Sequence, residues 1–264
     1  MPLFRLAIAT APFQLPVKQA IDIVGQLGVE GIQLDARSEL KPSEMGETAR
    51  KQLRHFLAER SLTLGSLAIS LNRPLYEREK LDLRIERVRE AMVLASQLKV
   101  PTLVLRAGQI PIEADSSDRG RLIDVLGDLA AFGNHLGVVP TITPSDDAVE
   151  TLRDLTRAIT TGPIAIDFDP AGFVMARRRP IDALRDLYDV IYHIQIRDGR
   201  RDVDGVGIET VVGQGEVPWI ELLATTAEMN YRGWLTIRRT LGDDRPGDCG
   251  RAAKFLRGLA LRGF

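Results

Sequence analysis

The chain has 264 residues, 44% of them hydrophobic, with 35 Lys and Arg against 36 Asp and Glu and a formal charge of -1, the profile of a folded globular protein. Its one cysteine, Cys249, excludes a disulfide framework and a cysteine-based zinc ribbon. The near-neutral charge supplies no global basic field for nucleic acid or a membrane surface, and the apolar opening Leu6 to Ala11 is too short to span a bilayer; a cytoplasmic location is expected.

Taken from the N-terminus, short apolar runs alternate with longer stretches of three- and four-residue apolar spacing, the pattern of parallel βα units. Strand Phe4 to Ala9 precedes helix Val17 to Gly28; strand Gly31 to Leu34 precedes helix Ser43 to Arg60; strand Thr63 to Ile69 precedes helix Glu77 to Leu98. Strands Thr102 to Arg106 and Val138 to Thr143 lead into helices Arg119 to Leu136 and Ala148 to Thr160. The last three pairs are Ile164 to Phe168 with Pro180 to Tyr188, Ile191 to Ile196 with Pro218 to Met229, and Trp234 to Arg238 with Arg251 to Leu261. Pro218 suits a helix start, and Gly28 and Gly137 suit helix ends. Asp198 to Gly215 reads as the longest loop. Eight units without a linker predict an α/β fold, a (β/α)8 TIM barrel forming a single domain over residues 1–264.

Side chains alternate faces along a strand, and several of these strands split cleanly. Arg106 opposes the leucines of its strand, and Thr143 lies opposite Ile142. Asp167 and Asp169 oppose Ile166 and Phe168; His193, Gln195 and Arg197 oppose Ile194 and Ile196; Thr236 and Arg238 oppose Leu235 and Ile237. The apolar face must meet the helices, so the polar set points into the lumen near the carboxyl ends of the strands, where barrel sites lie. This phase predicts a cluster of Arg106, Thr143, Asp169, Gln195 and Arg238, with Asp167 and His193 one layer deeper. A plain internal ion-pair network would use the same positions.

The segments Gly28 to Leu34, Ala91 to Leu105, Ile166 to Pro170, His193 to Gly199, Gly213 to Trp219 and Tyr231 to Leu235 together resemble the xylose-isomerase-like barrel superfamily of sugar phosphate isomerases and epimerases. That resemblance implies a divalent metal held by Glu, Asp, His and Glu at the ends of strands five to eight, the two glutamates also moving the substrate proton. The matching positions here are Thr143, Asp169, Gln195 and Arg238, so only the aspartate is kept. The second-strand Glu falls on Gln33, the fourth-strand His on Arg106, and the His three residues after the sixth-strand Asp on Gly172. Thr and Gln are weak neutral donors, and a guanidinium cannot ligate and repels a cation. No metal and no other cofactor are therefore expected.

Arg106 and Arg238, with Asp169 as their counter-ion, suit phosphate or carboxylate, with Thr143 and Gln195 reading hydroxyls. The expected ligand is a small anionic polyol, a sugar phosphate or sugar acid. If chemistry persists, Asp169 or Asp167 is the remaining base and Arg238 the stabiliser of an enediolate-like charge; the alternative is a non-catalytic sugar-binding or regulatory relative whose site is plugged by an Asp169–Arg238 salt bridge. His193 is either a core histidine or a catalytic one. The basic run from Arg197 to Arg201 reads as solvated loop or as a guide for anions. Gly213-Gln214-Gly215 is a turn or a weak phosphate loop, His55 and His135 are helix-surface or packing residues, and Trp219 and Trp234 are expected to pack helix against strand. DNA-repair endonucleases share the superfamily's fold with a many-histidine metal cluster; three histidines, none at those strand ends, argue against nucleic acid as a partner. The resemblance also allows a homodimer.

Overall fold

A computed structural model describes residues 4–113, 116–202 and 204–262. Eight parallel strands close into a barrel: β1 (Arg5–Ala9), β2 (Gly31–Asp35), β3 (Thr63–Ile69), β4 (Thr102–Leu105), β5 (Val139–Ile142), β6 (Ala165–Phe168), β7 (Ile191–Ile196) and the last strand, β10 (Trp234–Ile237), which returns to pair with β1. The helices between them are α1 (Val17–Val24), α2 (Glu47–Ala58), α3 (Leu81–Gln97), α4 (Ser117–Leu136), α5 (Val149–Ala158), α7 (Pro180–Leu187), α8 (Trp219–Glu228) and α9 (Arg245–Arg262). The (β/α)8 barrel predicted from periodicity is the observed fold. The main core lies where the outward strand residues, such as Leu6, Ile32, Leu103 and Ile194, meet the helices. No helix among the described residues is long and apolar enough to cross a membrane.

Four local predictions need correction. The expected loop after β7 contains an antiparallel hairpin, β8 (Asp198–Arg201) with β9 (Gly207–Thr210); its short polar strands carry no hydrophobic alternation. A short helix, α6 (Pro170–Met175), follows β6 and is capped by the Asp169 side chain. Helix α9 starts at Arg245 rather than Arg251, because Pro246 fits a first helical turn, where its missing N–H is no loss. Helix α1 ends at Val24, leaving Gly28 at φ 74° in the turn beyond it, whereas Gly137 at φ 67° caps α4 as expected.

Two irregularities set the interior. The β2–β3 register shifts between Ile32 and Gln33, and the β6–β7 register between Ile166 and Asp167. Bulges of this kind re-aim side chains: the first sets Gln33 beside Ser66 and the second sets Asp167 beside His193. Trp234 shares the lumen phase of Thr236 and packs at the base of the barrel, not between helix and strand. A Cβ on Gly31 would fall 2.4 Å from its ring and one on Gly65 2.8 Å from it. Gly65→Val should therefore lower the unfolding free energy by about 1–3 kcal/mol or more, the cost of overpacking a filled interior. Urea denaturation checks this, and an unchanged midpoint would mean that the ring moves aside freely.

Candidate functional site

A buried polar network crosses the lumen. Asp167, fully buried, accepts from His193 Nδ1 at 2.6 Å and from Thr143 Oγ1 and Gln195 Nε2. His193 Nε2 lies 2.7 Å from Thr236 Oγ1 and 3.3 Å from Ser66 Oγ, while Gln33 Nε2 donates to Ser66 Oγ at 2.8 Å. Strands β3 and β7 are not neighbours, so these side chains meet only by pointing inward, as the strand phase requires. Burial alone would raise the Asp167 carboxyl. The opposing charge of His193 and the hydrogen bonds from His193, Thr143 and Gln195 outweigh it, and the group stays below its ordinary value, as a carboxylate. Asp167 is thus the hub of the network: it lies with His193 beneath the cavity lining, as the strand phase predicts, and is in direct contact with Thr143 and Gln195 above it.

A carboxylate only accepts, which fixes the Gln195 amide with its NH2 toward Asp167. Its Oε1 is left buried with no partner, although the residue is only 3% exposed. Gln195 lines a cavity of about 470 Å³ at the carboxyl ends of the strands, together with Gln33, Asp35, Arg106, Thr143, Arg238 and Arg245. This is the size of a small-molecule site.

The cations of the cavity have no carboxylate partners. No ion pair or side-chain hydrogen bond among the described residues holds Arg106, which is exposed, or Arg238, which is half-buried. Desolvation, then the charges of Arg197 and Arg106, lower the proton affinity of Arg238 against the pull of Asp167 and Asp169; its charge is under-compensated. Arg245 was not predicted. It lies eight residues beyond the end of the last strand, donates to the Pro12 carbonyl, and its Nε donates to the Gly242 carbonyl at 3.2 Å. The one lining carboxylate among the described residues, Asp35, already accepts from Arg37 N, Ser38 N, Ser38 Oγ and Ser70 Oγ at 2.8–3.0 Å.

The other half of the mouth is filled by a charge ladder. Asp169 pairs with Arg197 and caps α6 through Gly172 N; Arg197 meets Glu209 of the hairpin at 3.0 Å; Arg239 bridges Glu209 at 3.2 Å and Asp248 at 2.9 Å. Asp169 is therefore the counter-ion of Arg197, not of Arg106 or Arg238, because the hairpin brings Glu209 up to orient the Arg197 fork between two carboxylates. Asp169, His193 and Arg197 consequently do not line the cavity, whereas Arg106, Thr143, Gln195 and Arg238 do. No signal in the sequence ties Arg197 to Glu209. Burial opposes its charge, but Asp169 and Glu209 together raise the Arg197 proton affinity. The backbone amides of Gly213 and Gly215, with Trp219 Nε1, donate to Asp198. Those glycines thus form a turn around an internal carboxylate, with no amide left for a phosphate. His55 and His135 are exposed on their helices. Burial, then Asp248, push the Cys249 thiol up to about 12, which leaves it no nucleophilic role.

The family described as xylose isomerase-like TIM barrel matches residues 21–259. The chain is 24% identical to an inosose dehydratase of Clostridium tetani, over 84% of this chain and 87% of that protein. Its fold is similar to that of a xylose isomerase domain protein from Planctomyces limnophilus, with TM-score 0.86 and 21% identity over 98% and 97% of the two chains. It is also similar to the probable 3-DHS dehydratase of Bacillus anthracis, with TM-score 0.79 and 14% identity over 96% and 99%.

Proposed function

Because the chain belongs to the xylose isomerase-like TIM-barrel family, we propose that it uses the barrel mouth, as that family's fold allows, to bind a small anionic polyol of the sugar acid or sugar phosphate class, without a divalent metal. The observation that carries this reading is the convergence, in one cavity, of guanidinium groups at Arg106 and Arg238 that have no ion-pair partner among the described residues, with the polar side chains of Thr143 and Gln195 in the same lining. Guanidinium forks bind phosphate and carboxylate through paired donors. Relatives named as a dehydratase of inosose and an epimerase of D-psicose act on polyols, which agrees with a hydroxyl-rich ligand.

The residues at the family's metal positions do not fit a cation. Among the described residues no group of three or more His, Cys, Asp or Glu is arranged so that it could hold a metal ion. Asp169 is committed to Arg197 and to the cap of α6, Thr143 gives its hydroxyl to Asp167, and Arg238 repels a divalent ion.

A second reading concerns catalysis. The isomerase or epimerase reading needs a base at the substrate, but the only lining carboxylate among the described residues, Asp35, is held by four donors, and Asp167 and Asp169 lie outside the cavity. This arrangement favours a binding or regulatory role. Exchange of a ligand C–H for deuterium in D2O, followed by NMR, separates the two: binding alone predicts no exchange, whereas exchange catalysed by the wild-type chain and lost in a D35N variant would restore the enzyme.

Isothermal titration of gluconate, glucose 6-phosphate, glucose and sorbitol into the full chain tests the binding itself. An anion should bind at least about tenfold more tightly than its neutral counterpart, the worth of one charge-assisted hydrogen bond, and more weakly as salt rises. Equal affinity for neutral and anionic members would refute the reading.

A further inference from the structure

The arrangement of the cations within the closed strand order specifies the ligand further. The barrel runs β1-β10-β7-β6-β5-β4-β3-β2, so three strands separate β4 from β10 in either direction. The two stand on opposite walls. Arg106 directly follows β4; Arg238 directly follows β10, and Arg245 opens the helix that follows it. All three side chains line the same cavity. Gln33, Thr143 and Gln195 line the same cavity.

We infer that the ligand carries two anionic groups, one at each end of a hydroxylated chain or ring, Arg106 holding one and Arg238 with Arg245 the other. This rests on the anionic-polyol reading above and names the ligand class within it.

Three features support a pair of anions over a single central one. Three cations face one carboxylate in the lining, and that carboxylate is already occupied by its own donors, so a monoanion leaves cationic charge uncompensated. The cavity, about 470 Å³, holds far more than one phosphate. The Arg245 guanidinium is oriented by two backbone carbonyls, and this leaves three of its five N–H donors in a fixed orientation.

Carboxylate and phosphate share this chemistry, and two series of probes distinguish them. The full chain is titrated calorimetrically with glucarate, gluconate and sorbitol, and with fructose 1,6-bisphosphate, fructose 6-phosphate and fructose. In at least one series the ligand with two anionic groups should bind about tenfold or more tightly than the ligand with one, given what one further charge-assisted contact contributes; the series with this step identifies the anion. Arg106→Gln and Arg245→Gln should each remove the step, and Arg106→Lys should keep part of it, with thermal melts confirming that each variant folds. A ligand with two anionic groups bound no more tightly than a ligand with one that itself binds would overturn the inference and leave the anionic-polyol reading standing. Neutral sugars binding as well as both would overturn that reading too.

Discussion

Replacing Asp167 by alanine should destabilise the barrel by about 3–5 kcal/mol, the cost of removing one partner from a buried charge pair. The carboxylate is fully buried and serves His193, Thr143 and Gln195 at once, so its loss orphans three groups that no water reaches freely. For a chain of this size the melting temperature should fall by about 10 °C. The pH dependence gives a second readout. The folded-state value of Asp167 lies below its ordinary one, so its contribution is fully present above the unfolded value and is lost as pH falls through the folded one. Wild-type stability should therefore drop below about pH 4, and the Asp167→Asn variant should have a flatter profile there. Glu209 is shifted in the same direction: burial raises it, but hydrogen bonds from Thr240 and the charge of Arg197 win, so it adds to the same acid loss. Urea denaturation from pH 7 to pH 3 measures both; a loss under about 1 kcal/mol at pH 7 for Asp167→Ala would mean that the network is not a stabilising unit.

Arg238→Gln should separate stability from binding. In a plugged site Arg238 is a salt-bridge partner, and its removal destabilises. Here Asp169 belongs to Arg197, and Arg238 stands desolvated with Arg197 and Arg106 as its nearest repulsive charges. Removing it should leave the melting temperature unchanged or raise it, while affinity for the preferred sugar acid or phosphate falls about ten- to a hundredfold. Sites that hold uncompensated charge for a ligand commonly trade stability for function in this way. A lower melting temperature with unchanged affinity would assign Arg238 to the scaffold.

Much of this molecule was legible in its sequence. The strands Thr63–Ile69 and Ile191–Ile196 fall on the observed residues, because a parallel strand covered by helices must be apolar on its outer face, and β-branched runs record that. The inward phase of Thr143, Asp167, His193 and Gln195 was legible for the same geometric reason. Which partner each would take was not. The bulges at Gln33 and Asp167 depend on pairing between strands, and one-strand alternation says nothing about them. The commitment of Asp169 to Arg197 depends on Glu209, delivered by a hairpin whose strands are too short and polar to announce themselves. Arg245 was invisible as a site residue because its place is set by the path of the chain after β10, not by strand phase. Resemblance supplied the positions of a metal site; the chemistry of Thr143, Gln195 and Arg238 at those positions argues against one.

The most direct test of a cavity in which arginines serve where the family would use a cation is calorimetric titration of hexose phosphates and sugar acids. The chain is first stripped with chelator and dialysed, then titrated again after adding Mn2+ or Mg2+. At least one anionic ligand should bind the stripped protein, and neither ion should change its affinity by more than about twofold, well below the contribution of a ligating bond. Binding that appears only after the metal is restored, with one ion retained per chain, would contradict a metal-free site.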